Sequence, residues 1–191
     1  RTLLRIVAGS AAAPAFGLSG AFAQTTSTEA ATESAAGAPG LERHGLSFFG
    51  NLRYPAGFTH FDYVNPDAPK GGPFSQIGPS QFYNQSLNTF DSLNPYNQRG
   101  NGAQGIELIY DTLLTAAGDE KSAMYGRLAS AVVIEDDGLT YRFRLNPKAR
   151  FHDGTPVTSA DVVASFMALK ADGYETIRMA LRDLSAVEPD G

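Results

Sequence analysis

The sequence contains no cysteine and no tryptophan. Without thiols there is no disulfide framework, no Cys-ligated zinc or iron–sulfur site, no thiol nucleophile and no Cys to carry an N-terminal lipid. Basic residues are also scarce: 15 Lys+Arg stand against 20 Asp+Glu, a formal net charge of −5. A chain of that sign lacks the basic face with which a protein meets nucleic-acid phosphates. Long apolar runs are missing too. The most apolar stretch, residues 6–20, is broken by Pro14 and several small residues. It falls short of the about 20 apolar residues that a membrane-spanning helix needs.

Turn chemistry is abundant. Twenty Gly and eleven Pro predict short elements joined by tight turns. Hydrophobic residues make up 42% of the 191, enough to build a core. At about 100–200 residues per domain, the chain is one domain or part of a larger one.

The first residues read as an address. Arg1 and Arg5 give a basic start, 6–20 is uncharged, and Ala21-Phe22-Ala23 is a small-x-small exit before Gln24. That is the pattern of a cleaved secretory leader, 1–23. The chain starts with Arg. An Arg just before Arg1 would make it a twin-arginine export signal; another residue there would leave an ordinary one. Loss of 1–23 removes Arg1 and Arg5 and no acid, so the charge moves from −5 to −7. Residues 24–40 are Thr, Ser, Ala, Glu, Gly and Pro without periodicity, the composition of a flexible tether. These features predict a periplasmic protein that is not a lipoprotein.

The globular part is expected over 41–191. Between 45 and 72 the aromatics Phe48, Phe49, Tyr54, Phe58, Phe61 and Tyr63 alternate with turns such as Asn65-Pro66-Asp67. This predicts a surface loop pinned by rings and ending in a strand at 74–77. Residues 80–105 read as loop. Ile106, Ile109, Tyr110, Leu113 and Leu114 have helical spacing and predict a short buried helix. Residues 125–131 read as a turn or second short helix. Asp136-Asp137-Gly138 marks a hairpin between strands at 131–135 and 139–145. In the second strand Tyr141, Phe143 and Leu145 face the core while Arg142 and Arg144 face water. Thr158 and Asp161 form a capping box that opens a helix ending at Gly173. A further helix over 174–182 and a strand at 184–187 follow, the latter lacking a partner.

Several patterns carry chemistry only superficially. His60 with Asp62, and His152 with Asp153, have metal-ligand types, but His60 sits among aromatics and His152-Asp153-Gly154 reads as a turn. Ser75, Ser80, Ser92 and Ser159 have no nucleophile elbow. Residues 100–105 are glycine-rich without the lysine of a phosphate loop. No catalytic residue, metal ligand or cofactor is expected.

Ordered motifs carry a family resemblance. His60-Phe61-Asp62-Tyr63-Val64-Asn65-Pro66-Asp67-Ala68-Pro69-Lys70-Gly71-Gly72 and Phe90-Asp91-Ser92-Leu93-Asn94-Pro95-Tyr96 resemble the Yej-type peptide-binding subunits of ABC importers. Tyr110-Asp111-Thr112-Leu113-Leu114, Tyr125-Gly126-Arg127-Leu128-Ala129 and Tyr141-Arg142-Phe143-Arg144-Leu145 continue in order. The block from Phe151-His152-Asp153-Gly154 to Val163 is similar to the wider oligopeptide/dipeptide/nickel type, family 5, of extracellular solute-binding proteins. Residues 82–87 look like a polar insertion.

The resemblance implies a mixed α/β fold: the N-terminal part of lobe one of a two-lobed periplasmic binding protein of the large type II, cluster C, kind. It implies a monomeric, non-enzymatic carrier that delivers short peptides to ABC permease subunits in the inner membrane. Phe90, Asp91, Ser92, Asn94 and Tyr96 are the expected ligand-contacting residues, and plain turn chemistry is the competing reading of Asp91-Ser92 and Asn94-Pro95. A metal chelate or another small solute is the alternative ligand. A secreted hydrolase with its catalytic residues elsewhere is the alternative class.

Overall fold

The computed structural model describes residues 3–8, 40–49, 51–73, 85–86 and 89–190. The expected strand at 74–77 and, Gly40 apart, the tether at 24–40 lie outside those residues. Strand β1 (Leu3–Ala8) is followed by β2 (Gly45–Ser47), β3 (Gln85–Ser86) and β4 (Gly102–Ala103). A 3₁₀ turn at Ile106–Ile109 leads to β5 (Leu114–Ala116), β6 (Ala123–Gly126), β7 (Ala129–Ile134) and β8 (Thr140–Leu145). Helices α1 (Ser159–Asp172) and α2 (Glu175–Ala180) precede β9 (Leu184–Pro189). The fold is thus mixed α/β.

The main sheet has the order β7-β8-β1-β9. Its hairpin, β7 to β8, follows from local chemistry. The Asp137 carboxylate accepts from the Leu139 and Thr140 amides at 2.8 and 2.7 Å and from the Thr140 hydroxyl at 2.6 Å. Gly138 supplies the left-handed φ of +66° that the turn requires. Helix α1 starts as its sequence predicts. The Thr158 hydroxyl and amide both donate to Asp161, and the Thr158 side chain accepts from the Asp161 amide, so the capping box is complete. The helix packs on the sheet through Val162, joining Leu4, Ala129, Val132, Phe143, Leu145, Leu184 and Val187 in one core.

A second, three-stranded sheet, β2-β6-β5, is antiparallel throughout. Its cover is aromatic. Tyr54 and Tyr125 are buried, and Phe58 and Phe61 pack against them with ring centroids 5.0–5.8 Å apart. The segment that reads as a ring-pinned loop is therefore the lid of this sheet. Gly126 ends β6 where the chain doubles back: a Cβ there would stand 2.4 Å from the Ala129 carbonyl oxygen.

Four expectations change. Residues 106–114 do not form a buried helix: the 3₁₀ turn buries none of its residues, Leu108 and Ile109 face outward, and Leu114 begins β5. Helical spacing of apolar residues carries no helix where no core lies behind it. Residues 125–131 are the end of β6 and the start of β7, joined by a tight link. His60 is exposed rather than packed, its Nδ1 3.0 Å from the Thr59 hydroxyl. Finally, β9 has a partner: it pairs antiparallel with β1, part of the segment read as a leader.

Candidate functional site

The loop 90–97 is built from its own polar side chains. The Asp91 carboxylate accepts from the Asn101 amide at 2.6 Å, and the Asp91 and Ser92 amides both donate to the Asn101 carbonyl at 3.0 and 3.1 Å. The Ser92 hydroxyl accepts from the Asn94 amide at 3.0 Å. The Asn94 side-chain oxygen accepts from the Tyr96 amide at 3.0 Å. Pro95 is fully buried beneath these turns. Asp91 and Ser92 therefore spend acceptors on backbone amides, Ser92 as a Ser turn and Asp91 across the loop to residue 101, while Asn94 makes the Asx turn.

The loop's far end faces the helices. Tyr96 meets Tyr110 edge-on at 5.1 Å, and the Tyr110 hydroxyl donates to the Leu93 carbonyl at 3.0 Å. The Tyr174 amide donates to the Tyr96 carbonyl at 2.6 Å, tying the loop to the start of α2. Between these elements lies an open groove of about 700 Å³. Asn94, Tyr96, Tyr110, Asp111 and Thr112 form one wall; Phe166, Leu169, Ile177 and Leu181 from α1 and α2 form the other. Asp111 is ion-paired with Arg127 at its rim. The groove is an apolar trough with a few polar groups along one edge, the composition that small-solute sites favour.

The structure brings Asn94 and Tyr96 to this groove and leaves Phe90, Asp91 and Ser92 outside its lining. Phe90 is 58% exposed. Sequence reading missed the helix side. Phe166 and Leu169 look like ordinary core positions of α1, and only the exposure left by α2 shows that they line a trough.

Charged groups elsewhere shape the scaffold. Burial pushes the Tyr54 and Tyr125 phenols up from their ordinary range, reinforced by hydrogen bonds to Asp119 and Glu120. The hydroxyl and amide of Thr158 hold the Asp161 carboxyl below the usual carboxylate range. Thr140 does the same, with its own hydroxyl first and then its amide, to Asp137. Among the described residues no group of three His, Asp or Glu is placed to hold a metal ion.

Comparisons with known proteins follow the same lines. Residues 123–190, which span β6 to β9 with both helices, match the family described as bacterial extracellular solute-binding proteins, family 5 Middle. YejA of Escherichia coli (strain K12) is 38% identical over 141 residues, 74% of this chain and 22% of that protein. The probable peptide-binding protein YejA of Agrobacterium fabrum is 45% identical over 128 residues, 67% of this chain and 20% of that protein. The peptidoglycan-binding protein YepA of Agrobacterium fabrum is 36% identical over 156 residues, 78% of this chain and 24% of that protein. The chain thus spans less than a quarter of the length of each of these relatives. With the motifs, the fold and these matches in hand, the chain belongs to the family 5 extracellular solute-binding proteins and resembles their Yej-type members.

Proposed function

We propose that the protein is the periplasmic substrate-binding component of an ABC importer and that its ligands are short peptides. The 45% identity to a relative named as a probable peptide-binding protein is the observation that carries this reading. In it, residues 1–23 are a cleaved export leader. The described residues build part of lobe one of a two-lobed type II protein, and sequence beyond Gly191 supplies the second lobe. The protein is a monomeric carrier that performs no chemical step and hands its peptide to permease subunits.

The loop 90–96 and the groove beside it are the ligand-contacting edge of this lobe. Tyr96 and Phe166 offer apolar walls to peptide side chains, and Asn94 offers polar groups to a peptide backbone. An open trough of this kind takes varied side chains, with water filling the unused volume. A second reading keeps the site and changes the solute. A relative 36% identical is named as a peptidoglycan-binding protein, so the peptide stems of peptidoglycan are the alternative.

Titration calorimetry of the full-length mature protein tests this, with pools of tri- to pentapeptides and with peptidoglycan stem peptides. Saturable binding of the pool supports the first reading, and binding of stem peptides alone supports the second. No heat from either pool, with no shift in melting temperature, removes the peptide assignment.

A further inference from the structure

The place of β1 is the least expected feature of the fold. Six leader residues form an interior strand of the main sheet. Leu4 is fully buried, flanked by Phe143 of β8 on one side and Pro189 of β9 on the other. Ile6 lies between Tyr141 and Val187, and Arg5 lies between Arg142 and Glu188. The Leu3 carbonyl accepts from the Asp190 amide at 2.7 Å, and the Ser185 hydroxyl donates to the Val7 carbonyl at 2.8 Å. Among the described residues of the main sheet β9 pairs with β1 alone. If the leader is removed, β9 loses that ladder and β8 gains a bare edge. Buried edges without partners do not persist.

We propose that β8 and β9 are the two walls of a strand slot, that β1 fills it only in the precursor, and that a segment beyond Gly191 fills it in the mature protein. The proposal rests on the reading of 1–23 as a cleaved leader. Three observations support it. The relatives are more than four times the length of the matched segment, so proteins of their length have sequence outside it from which a strand can come. The family match at 123–190 contains both walls and the helices behind them but not β1. The Arg142 guanidinium, on β8, pairs at 2.7 Å with Asp190, just past β9, and so spans the width of the intervening strand.

The slot also defines its occupant. β8 and β9 both run antiparallel to β1, so they are parallel to each other and joined through α1 and α2 as a crossover unit. The occupant is an extended run of about six residues, antiparallel to both walls, with apolar side chains at the positions of Leu4 and Ile6. The competing outcome is closure, with β8 and β9 pairing directly.

Four measurements on the full-length mature protein decide it. Intact mass first shows whether 1–23 is gone; retention would leave β1 in place and overturn the proposal through the leader reading alone. Hydrogen exchange then reads 140–145 and 184–189. The expected result is slowing of both by about a hundredfold or more over an unfolded chain, and fast exchange at 184–189 would mean an empty slot and overturn the proposal. The double variant Arg142→Cys/Glu188→Cys distinguishes filling from closure. Both positions face Arg5, so a filled slot holds them roughly 10 Å apart, two strand spacings, beyond disulfide reach. No disulfide on mild oxidation is expected; ready formation means closure and overturns the proposal. A photo-reactive phenylalanine at Tyr141 identifies the occupant: capture of a peptide beyond 191 supports the proposal, and capture only within 24–190 contradicts it.

Discussion

The Tyr54 amide donates to the Tyr125 hydroxyl at 3.1 Å, while the two rings meet edge-on at 5.5 Å. One aromatic pair thus joins the wrapping segment to β6 by both a ring contact and a hydrogen bond. The same Tyr125 hydroxyl donates to Glu120, and the Tyr54 hydroxyl donates to Asp119 at 2.5 Å. Tyr125→Phe keeps the ring but strands a buried amide. A loss of about 1–3 kcal/mol is expected, read by urea unfolding of the full-length protein. An unchanged midpoint would show that water replaces the hydroxyl.

The same two phenols set an alkaline limit. Burial first, and then the carboxylate partners, raise both above their ordinary value. A raised folded-state value means that the neutral phenols stabilise the fold below the unfolded value, about 10, and that this stabilisation is lost as pH rises through the folded value. Melting temperature is expected to fall on the alkaline side of pH 10. The Tyr54→Phe/Tyr125→Phe double variant is expected to show a shallower fall.

Helix α1 sets part of an acid limit. Thr158, by its hydroxyl and then its amide, holds the Asp161 carboxyl low, and a lowered folded-state value stabilises above the unfolded value, about 3.9. This is lost as pH drops through the folded value. Asp161→Asn is expected to lower stability at pH 7 and to converge with the native protein once pH has dropped through the lowered folded value. Thr158→Ala removes the cap itself and is expected to cost about 1 kcal/mol at neutral pH.

Gly126 offers a backbone test. An added Cβ would press on the Ala129 carbonyl at 2.4 Å, where backbone rather than a side chain must yield. Gly126→Ala is expected to cost about 1–3 kcal/mol by chemical denaturation. A cost near zero would mean that the β6–β7 link shifts freely.

The groove yields its own prediction. Tyr96→Ala is expected to weaken peptide binding about tenfold, a change of 1.4 kcal/mol, in calorimetry of the full-length protein. Asp91→Asn, which leaves the groove lining intact, is expected to change affinity much less. Equal effects would place the ligand on the outer side of the loop.

Much of this fold is legible in the sequence where its causes are local. Asp137-Gly138 and Thr158 with Asp161 carry their turn and cap chemistry within four residues, and the hairpin and α1 form where those residues predict. The rings of Tyr54, Phe58 and Phe61 announce a pinned segment, though not the sheet beneath it. Where the cause is remote, the reading fails. Ile106 to Ile109 have helical spacing, but the 3₁₀ turn they form buries none of its residues. The partner of β9 lies some 180 residues earlier in the chain, in a stretch whose composition speaks of export. The groove shows the same divide. Asn94 and Tyr96 stand out in a turn motif, whereas Phe166 and Leu169 line the trough only through the placement of α2.

The proposed function stands or falls with the carriage of peptides. The most direct measurement is native mass spectrometry of the full-length mature protein purified from periplasm, followed by denaturation and identification of what is released. The account predicts a heterogeneous set of short peptides, whose lengths report the preference of the site. A single non-peptide solute, or an empty protein whose melting temperature does not shift with a peptide pool, would contradict it.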